Sequence, residues 1–146
     1  MNPVILLVED NATDEKLTLK AFARCDIPHE IVVVRDGVEA LDYLTGSGNF
    51  AEPNAPLIPT LVLLDLKLPK LTGLEVLGAI RLGERCQLVP VVVLTASREE
   101  EDVMECRRLG ANAYVRKPVD FLQFVDSANV IGQFWLRLNE PQPRQA

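Results

Sequence analysis

The segment LVLLDLKLPKLTG, residues 61–73, places an ionisable residue directly after a run of four aliphatic ones. An unbroken apolar run of this length predicts a strand covered on both faces, as strands of parallel sheets are. A carboxylate at the edge of an apolar core is destabilising unless another group pairs with it. We therefore expect partners for Asp65 at the end of a buried central strand.

Four further apolar runs and the stretches between them predict an alternating fold. The runs cover residues 4–8, 30–34, 91–94 and 113–115. Helical spacing follows at residues 13–24, 37–44, 73–83 and 100–110, with a last helix at 120–138. Capping residues precede three of these helices: Asp36, Thr72 and Ser97. Five strand–helix repeats predict an α/β fold, a doubly wound sandwich around a parallel sheet.

Length and composition limit the classes of function. The 146 residues fit one domain, which we place at residues 1–139, followed by a flexible polar tail at 140–146 and no output domain. The net charge of −6 argues against nucleic acid or an anionic membrane as the main partner. No signal peptide or membrane span is predicted, and three unpaired cysteines are typical of a cytoplasmic protein.

Polar residues follow four of the predicted strands. In a doubly wound sheet of order 2-1-3-4-5, strands 1 and 3 flank the point where the strand order reverses, and sites form there. This order brings Glu9 and Asp10 beside Asp65, with Thr95 and Lys117 approaching from strands 4 and 5. The sequence therefore predicts one site built from three carboxylates, a hydroxyl and an ammonium.

The chemistry of that set favours a metal and a phosphoryl group. Three neighbouring carboxylates repel one another, and a divalent cation such as Mg²⁺, or Mn²⁺ in its place, removes the conflict. Lys117 can pair with a phosphoryl oxygen, and Thr95 can donate a hydrogen bond to the same group. These residues together predict a site where a carboxylate accepts a phosphoryl group.

Four segments in register resemble the receiver domain of two-component response regulators. They are LLVEDN (6–11), LLDLKLPKLTGLE (63–75), VVVLTAS (91–97) and AYVRKPVD (113–120). With the helices between them the resemblance covers about residues 2–138. It implies a flavodoxin-like (βα)5 fold with a five-stranded parallel sheet of order 2-1-3-4-5.

The resemblance also implies a role for each matching residue. Asp65 would be the phosphoacceptor, taking the phosphoryl group from the phosphohistidine of a sensor histidine kinase. Asp10 would bind the metal directly and Glu9 through water, with the backbone carbonyl of Lys67 as a further ligand. Lys117 would contact the phosphoryl group, and its bond to Pro118 would be cis.

The same resemblance implies a conformational switch and a partner. Thr95 would move toward the phosphoryl group and Tyr114 would turn inward with it, changing the face formed by helix 4, strand 5 and helix 5. The segments TDEKLTLKAF (13–22), PHEIVVVRDGVEALDYL (28–44) and FWLRLNEP (134–141) and the long 45–60 connection are similar to small regulators partnered with cyanobacterial phytochromes. A bacterial phytochrome is therefore the expected kinase.

The last predicted helix is apolar on more than one face. One stripe is long enough to dock on the sheet, and further apolar residues lie off it. A surface helix with this pattern favours a partner, and we expect a homodimer through this helix and the edge of strand 5. The predicted interface residues are Phe121, Phe124, Ile131, Phe134 and Trp135.

Two alternative functions use the same fold. A pseudo-receiver would serve only as a docking module, but it would lack the acidic pair, acceptor, hydroxyl or lysine that this chain has. An aspartyl-phosphate phosphatase would need a second acid two residues after the nucleophile, where this chain has Lys67. We therefore expect a signalling protein that promotes only its own phosphorylation and dephosphorylation.

Overall fold

A computed structural model describes residues 2–97 and 99–141 and shows five strands alternating with five helices. The strands are β1 (Val4–Val8), β2 (Glu30–Val34), β3 (Leu61–Leu64), β4 (Val91–Thr95) and β5 (Ala113–Arg116). The helices are α1 (Ala12–Ala23), α2 (Gly37–Thr45), α3 (Gly73–Leu82), α4 (Glu100–Arg108) and α5 (Phe121–Gly132). The predicted strands and helices are present, with ends that differ by a few residues.

The strands form one parallel sheet in the order β2-β1-β3-β4-β5, as predicted. The central strand β3 pairs with β1 on one side and β4 on the other, with Leu63 opposite Leu7 and Val92. All four residues of β3 are fully buried. Because β1 lies beside β3, the strand order reverses at this pair, and their carboxyl ends flank the reversal point.

Two helical layers cover the sheet and give each strand two buried faces. Leu6 and Val8 belong to the core cluster on the side of α2, α3 and α4, whereas Ile5 and Leu7 belong to the cluster that includes α1 and α5 residues. Successive side chains of a strand point to opposite faces. This explains why the strands appear in the sequence as continuous apolar runs.

The helix starts confirm two of the three predicted caps. Asp36 accepts the amide proton of Glu39, and Thr72 forms a reciprocal capping box with Glu75. The prediction for Ser97 is wrong, because α4 begins at Glu100 after an N-cap at Glu99 that makes no side-chain capping bond. Ser97 lies two residues before that N-cap. Its Oγ instead donates to the carboxylate of Asp102, in the first turn of α4, at 2.5 Å.

The last helix is not uniform. The α-helical part ends at Gly132, and residues 133–138 continue with π-helical hydrogen bonding, so the predicted single helix 120–138 is corrected. Gly132 packs against the segment that follows α1 so closely that a Cβ there would lie 2.6 Å from Cys25 Sγ. Most of the predicted tail, residues 142–146, lies outside the described residues.

The long connection between α2 and β3 is mainly exposed, as expected, and it is tethered to the body of the domain. It contains a short 3₁₀ helix at Gly48–Phe50. Arg85 holds its two ends by donating to the carbonyl oxygens of Leu44 and Pro56.

The three cysteines are buried free thiols. Within the described ranges, no helix has the length and apolar character needed to cross a membrane.

Candidate functional site

The carboxyl ends of the strands meet at one edge of the sheet, where backbone hydrogen bonds fix the residues that follow them. The amide of Glu9 donates to Val34 O at 3.0 Å, and the amide of Asp65 donates to Val8 O at 3.1 Å. The amide of Lys117 donates to Thr95 O at 2.8 Å. The sheet ladder therefore continues into the polar residues and sets their spacing.

Three carboxylates converge at this edge, as predicted. One oxygen from each of Glu9, Asp10 and Asp65 lies within 4.8 Å of the other two. Glu9 and Asp65 are 1% and 8% exposed, whereas Asp10 is exposed. Oxygen ligands on a partly open edge suit a hard divalent cation, which keeps some of its water. This donor set therefore fits Mg²⁺ or Mn²⁺.

Lys117 supplies the positive charge of the site. Its Nζ lies 2.5 Å from Glu9 Oε1, 3.1 Å from Asp14 Oδ2 and 3.2 Å from Asp65 Oδ2, and its side chain is 8% exposed. One buried ammonium thus faces three carboxylates. The contact with Glu9 goes beyond our expectation that Glu9 would act on a metal through water.

Asp14 is a site residue that sequence reasoning missed. It lies in the first turn of α1, where an acidic residue is common because it interacts favourably with the helix dipole. The available signal was the start of α1 directly after β1, because the first turn of such a helix lies at the same sheet edge as the strand-end residues. Asn11 caps this helix through the amide of Asp14, at 2.9 Å, and so helps to place it.

The proton equilibria of the site reflect burial and charge together. Burial raises the pKa of Glu9 to about 7, and the charge of Asp65 adds to this while Lys117 opposes it. Burial disfavours the charged form of Lys117, but hydrogen bonding to Glu9 and the charge of Asp65 outweigh it and raise the pKa of the amine. Lys117 is therefore a cation at neutral pH, whereas Glu9 gains a proton readily when no metal is bound.

Asp65 is held at both oxygens. Its Oδ1 accepts the amide proton of Leu66 at 2.7 Å, and its Oδ2 faces Lys117. A Cβ at Gly73 would lie 2.3 Å from the carbonyl oxygen of Asp65, so only glycine lets the start of α3 approach this closely. The loop after β3 thereby fixes the carboxylate at the edge of the sheet.

An open cavity of about 250 Å³ lies over these residues. Five predicted site residues line it, and Asp14 lines it as well. The full lining consists of Asp10, Asn11, Asp14, Asp65, Lys67, Thr95, Ala96 and Lys117. The side chain of Lys67 is exposed, and a metal contact through its backbone carbonyl stays a prediction. The volume is sufficient for a hydrated cation and a phosphoryl group.

Comparison with known proteins assigns the family. A profile of the response regulator receiver domain matches residues 5–129. The chain is a response regulator receiver domain. It is 39% identical over 133 residues to the response regulator Rcp1 of Synechocystis sp.. The aligned region covers 91% of this chain and 88% of Rcp1.

Solved structures of response regulators resemble this receiver domain over nearly its whole length. The phosphorylated cyanobacterial phytochrome response regulator RcpA has a TM-score of 0.89 and 38% identity, covering 98% of this chain and 100% of its own. The Mn²⁺-bound form of Rcp1 has a TM-score of 0.87 and 37% identity, covering 97% and 99%. The bacteriophytochrome response regulator RtBRR is 50% identical with a TM-score of 0.76, covering 98% and 86%.

The two predicted switch residues occupy different places in the receiver domain. Thr95 is 1% exposed and lines the acidic cavity, and its Oγ1 accepts the amide proton of Ser97 at 3.4 Å. Tyr114 is half-buried beside the core on the α2–α4 side of the sheet. Its hydroxyl donates to Ser97 O at 3.2 Å. The two side chains are therefore linked through Ser97 in the turn after β4, and Tyr114 is not part of the cavity lining.

One prediction beside the site, the geometry of the peptide bond after Lys117, needs correction. The bond between Lys117 and Pro118, expected to be cis, is trans: among the described residues the cis peptide bond is Glu52–Pro53. The trans isomer is the lower-energy form of an X–Pro bond, and it is compatible here with all three ion pairs of Lys117.

The predicted dimer interface is also corrected at two positions. Phe124 and Ile131 are 4% and 6% exposed, and they pack in the core cluster shared by the sheet, α1 and α5. Phe121 and Trp135 are half-buried against the same cluster, and Phe134 is 46% exposed. Phe124 and Ile131 are therefore core residues and are not available to a partner surface.

Proposed function

We propose that this receiver domain accepts a phosphoryl group on Asp65 from the phosphohistidine of a sensor histidine kinase in a Mg²⁺-dependent reaction. The observation that carries the proposal is the position of Asp65. Its carboxylate lies within 4.8 Å of Glu9 and Asp10 and 3.2 Å from Lys117, at the floor of an open cavity. A nucleophilic carboxylate is thus placed between a cation-binding cluster and a fixed ammonium.

The metal would be held by the carboxylates of Asp10 and Asp65 and the backbone carbonyl of Lys67, with Glu9 acting through water. The cluster has three carboxylates and one neighbouring ammonium, so its net charge is negative and the donor set fits a divalent cation. Bound there, Mg²⁺ or Mn²⁺ supplies charge neutralisation for a phosphoryl group. The similar protein Rcp1, solved in a Mn²⁺-bound form, supports this assignment.

In the proposed reaction the new bond joins an Asp65 oxygen to phosphorus while the phosphorus–nitrogen bond of phosphohistidine breaks. The electron pair of that bond stays on the imidazole nitrogen, and the phosphoryl group keeps its negative oxygens. Lys117 stabilises one of these oxygens by charge, and the hydroxyl of Thr95 donates to another. Asp65 is held at both oxygens beforehand, so little reorganisation of the acceptor is needed.

We propose that phosphorylation is transmitted through the turn after β4. The hydroxyl of Thr95 would move toward the phosphoryl group and release the amide of Ser97. Ser97 would shift with this turn and move the carbonyl that accepts from Tyr114, so that Tyr114 turns inward and changes the α4–β5–α5 face. This proposal is supported by the chain of contacts from Thr95 through Ser97 to Tyr114.

The partner proposed for this receiver is a phytochrome-type histidine kinase. It is supported by similarity to RcpA, a cyanobacterial phytochrome response regulator, and to RtBRR, a bacteriophytochrome response regulator.

We also propose a homodimer through the C-terminal helix. Its outer surface carries an apolar stripe at four-residue spacing, formed by Val130, Phe134 and Leu138, which are 66%, 46% and 71% exposed. Sedimentation that shows only monomer at high micromolar concentration, with and without phosphorylation, would exclude this dimer.

One experiment tests the phosphoacceptor proposal. The protein is incubated with Mg²⁺ and either acetyl phosphate or a phosphorylated sensor kinase, and its intact mass is measured. We expect an acid-stable, base-labile adduct of about 80 Da, one phosphoryl unit. Absence of the adduct with every donor and an intact fold would favour a docking module, and rapid turnover of small phosphate esters would favour a phosphatase.

A further inference from the structure

Asp14 touches the proposed catalytic lysine without belonging to the metal cluster. Its Oδ2 lies 3.1 Å from Lys117 Nζ, whereas the three carboxylates that could share a cation are those of Glu9, Asp10 and Asp65. A lysine ammonium has three protons to donate, and here Glu9, Asp14 and Asp65 accept them. A phosphoryl oxygen that needs Lys117 must therefore displace one of these three acceptors.

Asp14 is the acceptor that can be displaced most easily. Its side chain is 37% exposed, compared with 1% for Glu9 and 10% for Asp65. Its backbone stays fixed, because Asn11 accepts its amide proton at 2.9 Å and its carbonyl accepts from the buried Thr18 at 2.8 Å. The carboxylate can thus turn into solvent without moving helix α1, but it remains anchored at the cavity that it lines.

We propose that Asp14 is a positioning residue that weakens the hold of this site on a phosphoryl group by competing for the ammonium of Lys117. A phosphoryl group brings up to two negative charges to the cavity, and Asp14 adds a further one beside it. Like charges at this range oppose each other, and the competition for Lys117 acts in the same direction. This inference rests on the proposed function and adds to it a residue that sets how fully the site is occupied.

The test uses beryllofluoride, a phosphoryl mimic, because its binding is measured without turnover. Its affinity at saturating Mg²⁺ is determined by calorimetry for the wild type, Asp14→Asn and Glu15→Gln. Glu15 is the next residue on the same helix and pairs with Arg35 at 3.1 Å rather than with Lys117, so its variant removes an equal charge at a matched position. We expect Asp14→Asn to bind about fivefold more tightly, and Glu15→Gln to stay close to the wild type.

Two further measurements separate this role from a general structural effect. Asp14→Glu, which keeps the charge, should stay nearer to the wild type than Asp14→Asn. Binding of Mg²⁺ alone should not tighten in Asp14→Asn, because loss of a negative charge cannot favour a cation. A variant that changed only the stability of the folded protein would leave the affinities for both ligands unchanged.

The outcomes distinguish this inference from the proposed function. If the wild type binds beryllofluoride and Asp14→Asn binds it no more tightly than Glu15→Gln, the inference is overturned while the proposed function stands. Weaker binding by Asp14→Asn would also overturn it, since Asp14 would then be orienting Lys117 for the phosphoryl group. A wild type that binds no beryllofluoride with Mg²⁺ present would overturn both.

Discussion

The acidic cavity and the C-terminal helix differ in how firmly the sequence specifies them. At the cavity, the predicted residues end or follow strands whose register sets their positions, and Glu9, Asp65 and Lys117 meet as predicted. Along the C-terminal helix, apolar residues occur on most faces, and Phe124 and Ile131 proved to be core residues. Residues placed by a parallel sheet can therefore be assigned from sequence, whereas burial on a helix with a broad apolar surface cannot.

The largest expected effect concerns the acceptor at the cavity. Asp65→Asn keeps the shape of the side chain and the hydrogen bond from Leu66 but removes the nucleophilic carboxylate. We expect phosphorylation by acetyl phosphate with Mg²⁺ to fall more than about 1,000-fold, while circular dichroism shows an unchanged fold. A variant that still forms the full mass adduct would place the acceptor elsewhere.

The extent of prediction from sequence follows from these physical differences. The sheet order and the convergence of Asp10, Asp65 and Thr95 follow from continuous apolar runs and from the fact that parallel strands end at one edge. Asp14 was missed because an acid in a first helical turn has an ordinary explanation in the helix dipole. Ser97 was misassigned as a cap because α4 starts later than its cap pattern indicates.

The next expected effect sharpens the role of the ammonium. Lys117→Met removes the cation that faces three carboxylates, including two that are nearly buried. We expect the phosphorylation rate to fall about 100- to 1,000-fold, as for loss of one charge-stabilising donor, measured by intact mass over time. Lys20→Met, at an exposed position on α1, is the control and should keep the wild-type rate. A fall of less than about tenfold would show that Lys117 is not needed for phosphoryl transfer.

A neighbouring pair tests the C-terminal helix. Ile131 is 6% exposed and Val130 is 66% exposed, so truncation to alanine removes core packing at one position and only surface contact at the other. We expect Ile131→Ala to lower the free energy of unfolding by about 2 to 4 kcal/mol, and Val130→Ala by less than about 1 kcal/mol, in urea denaturation of the unphosphorylated protein at low concentration. Equal losses would mean that the outer face of this helix is as buried as the inner one.

The smallest expected effect is a pH dependence at the cavity. Because the pKa of Glu9 is raised from 4.5 to about 7, its contribution to the stability of the metal-free protein is complete below pH 4.5 and is lost as pH rises through 7. Divalent cations favour the ionised form, so the stabilisation by Mg²⁺ should increase between pH 6 and 8 by about 1 kcal/mol. Thermal unfolding with Mg²⁺ or with chelator measures it. Glu9→Gln should remove most of this increase, and an equal increase in that variant would assign it to another group.

The central claim is that Asp65 receives the phosphoryl group, and chemical trapping tests it most directly. Borohydride reduces an aspartyl phosphate to homoserine, which peptide mass spectrometry can locate in the chain. After phosphorylation with Mg²⁺ present, we predict homoserine at position 65, and none when chelator replaces the metal. Trapping at Asp10, at Asp14 or at no residue of a protein that carries the adduct would contradict the account.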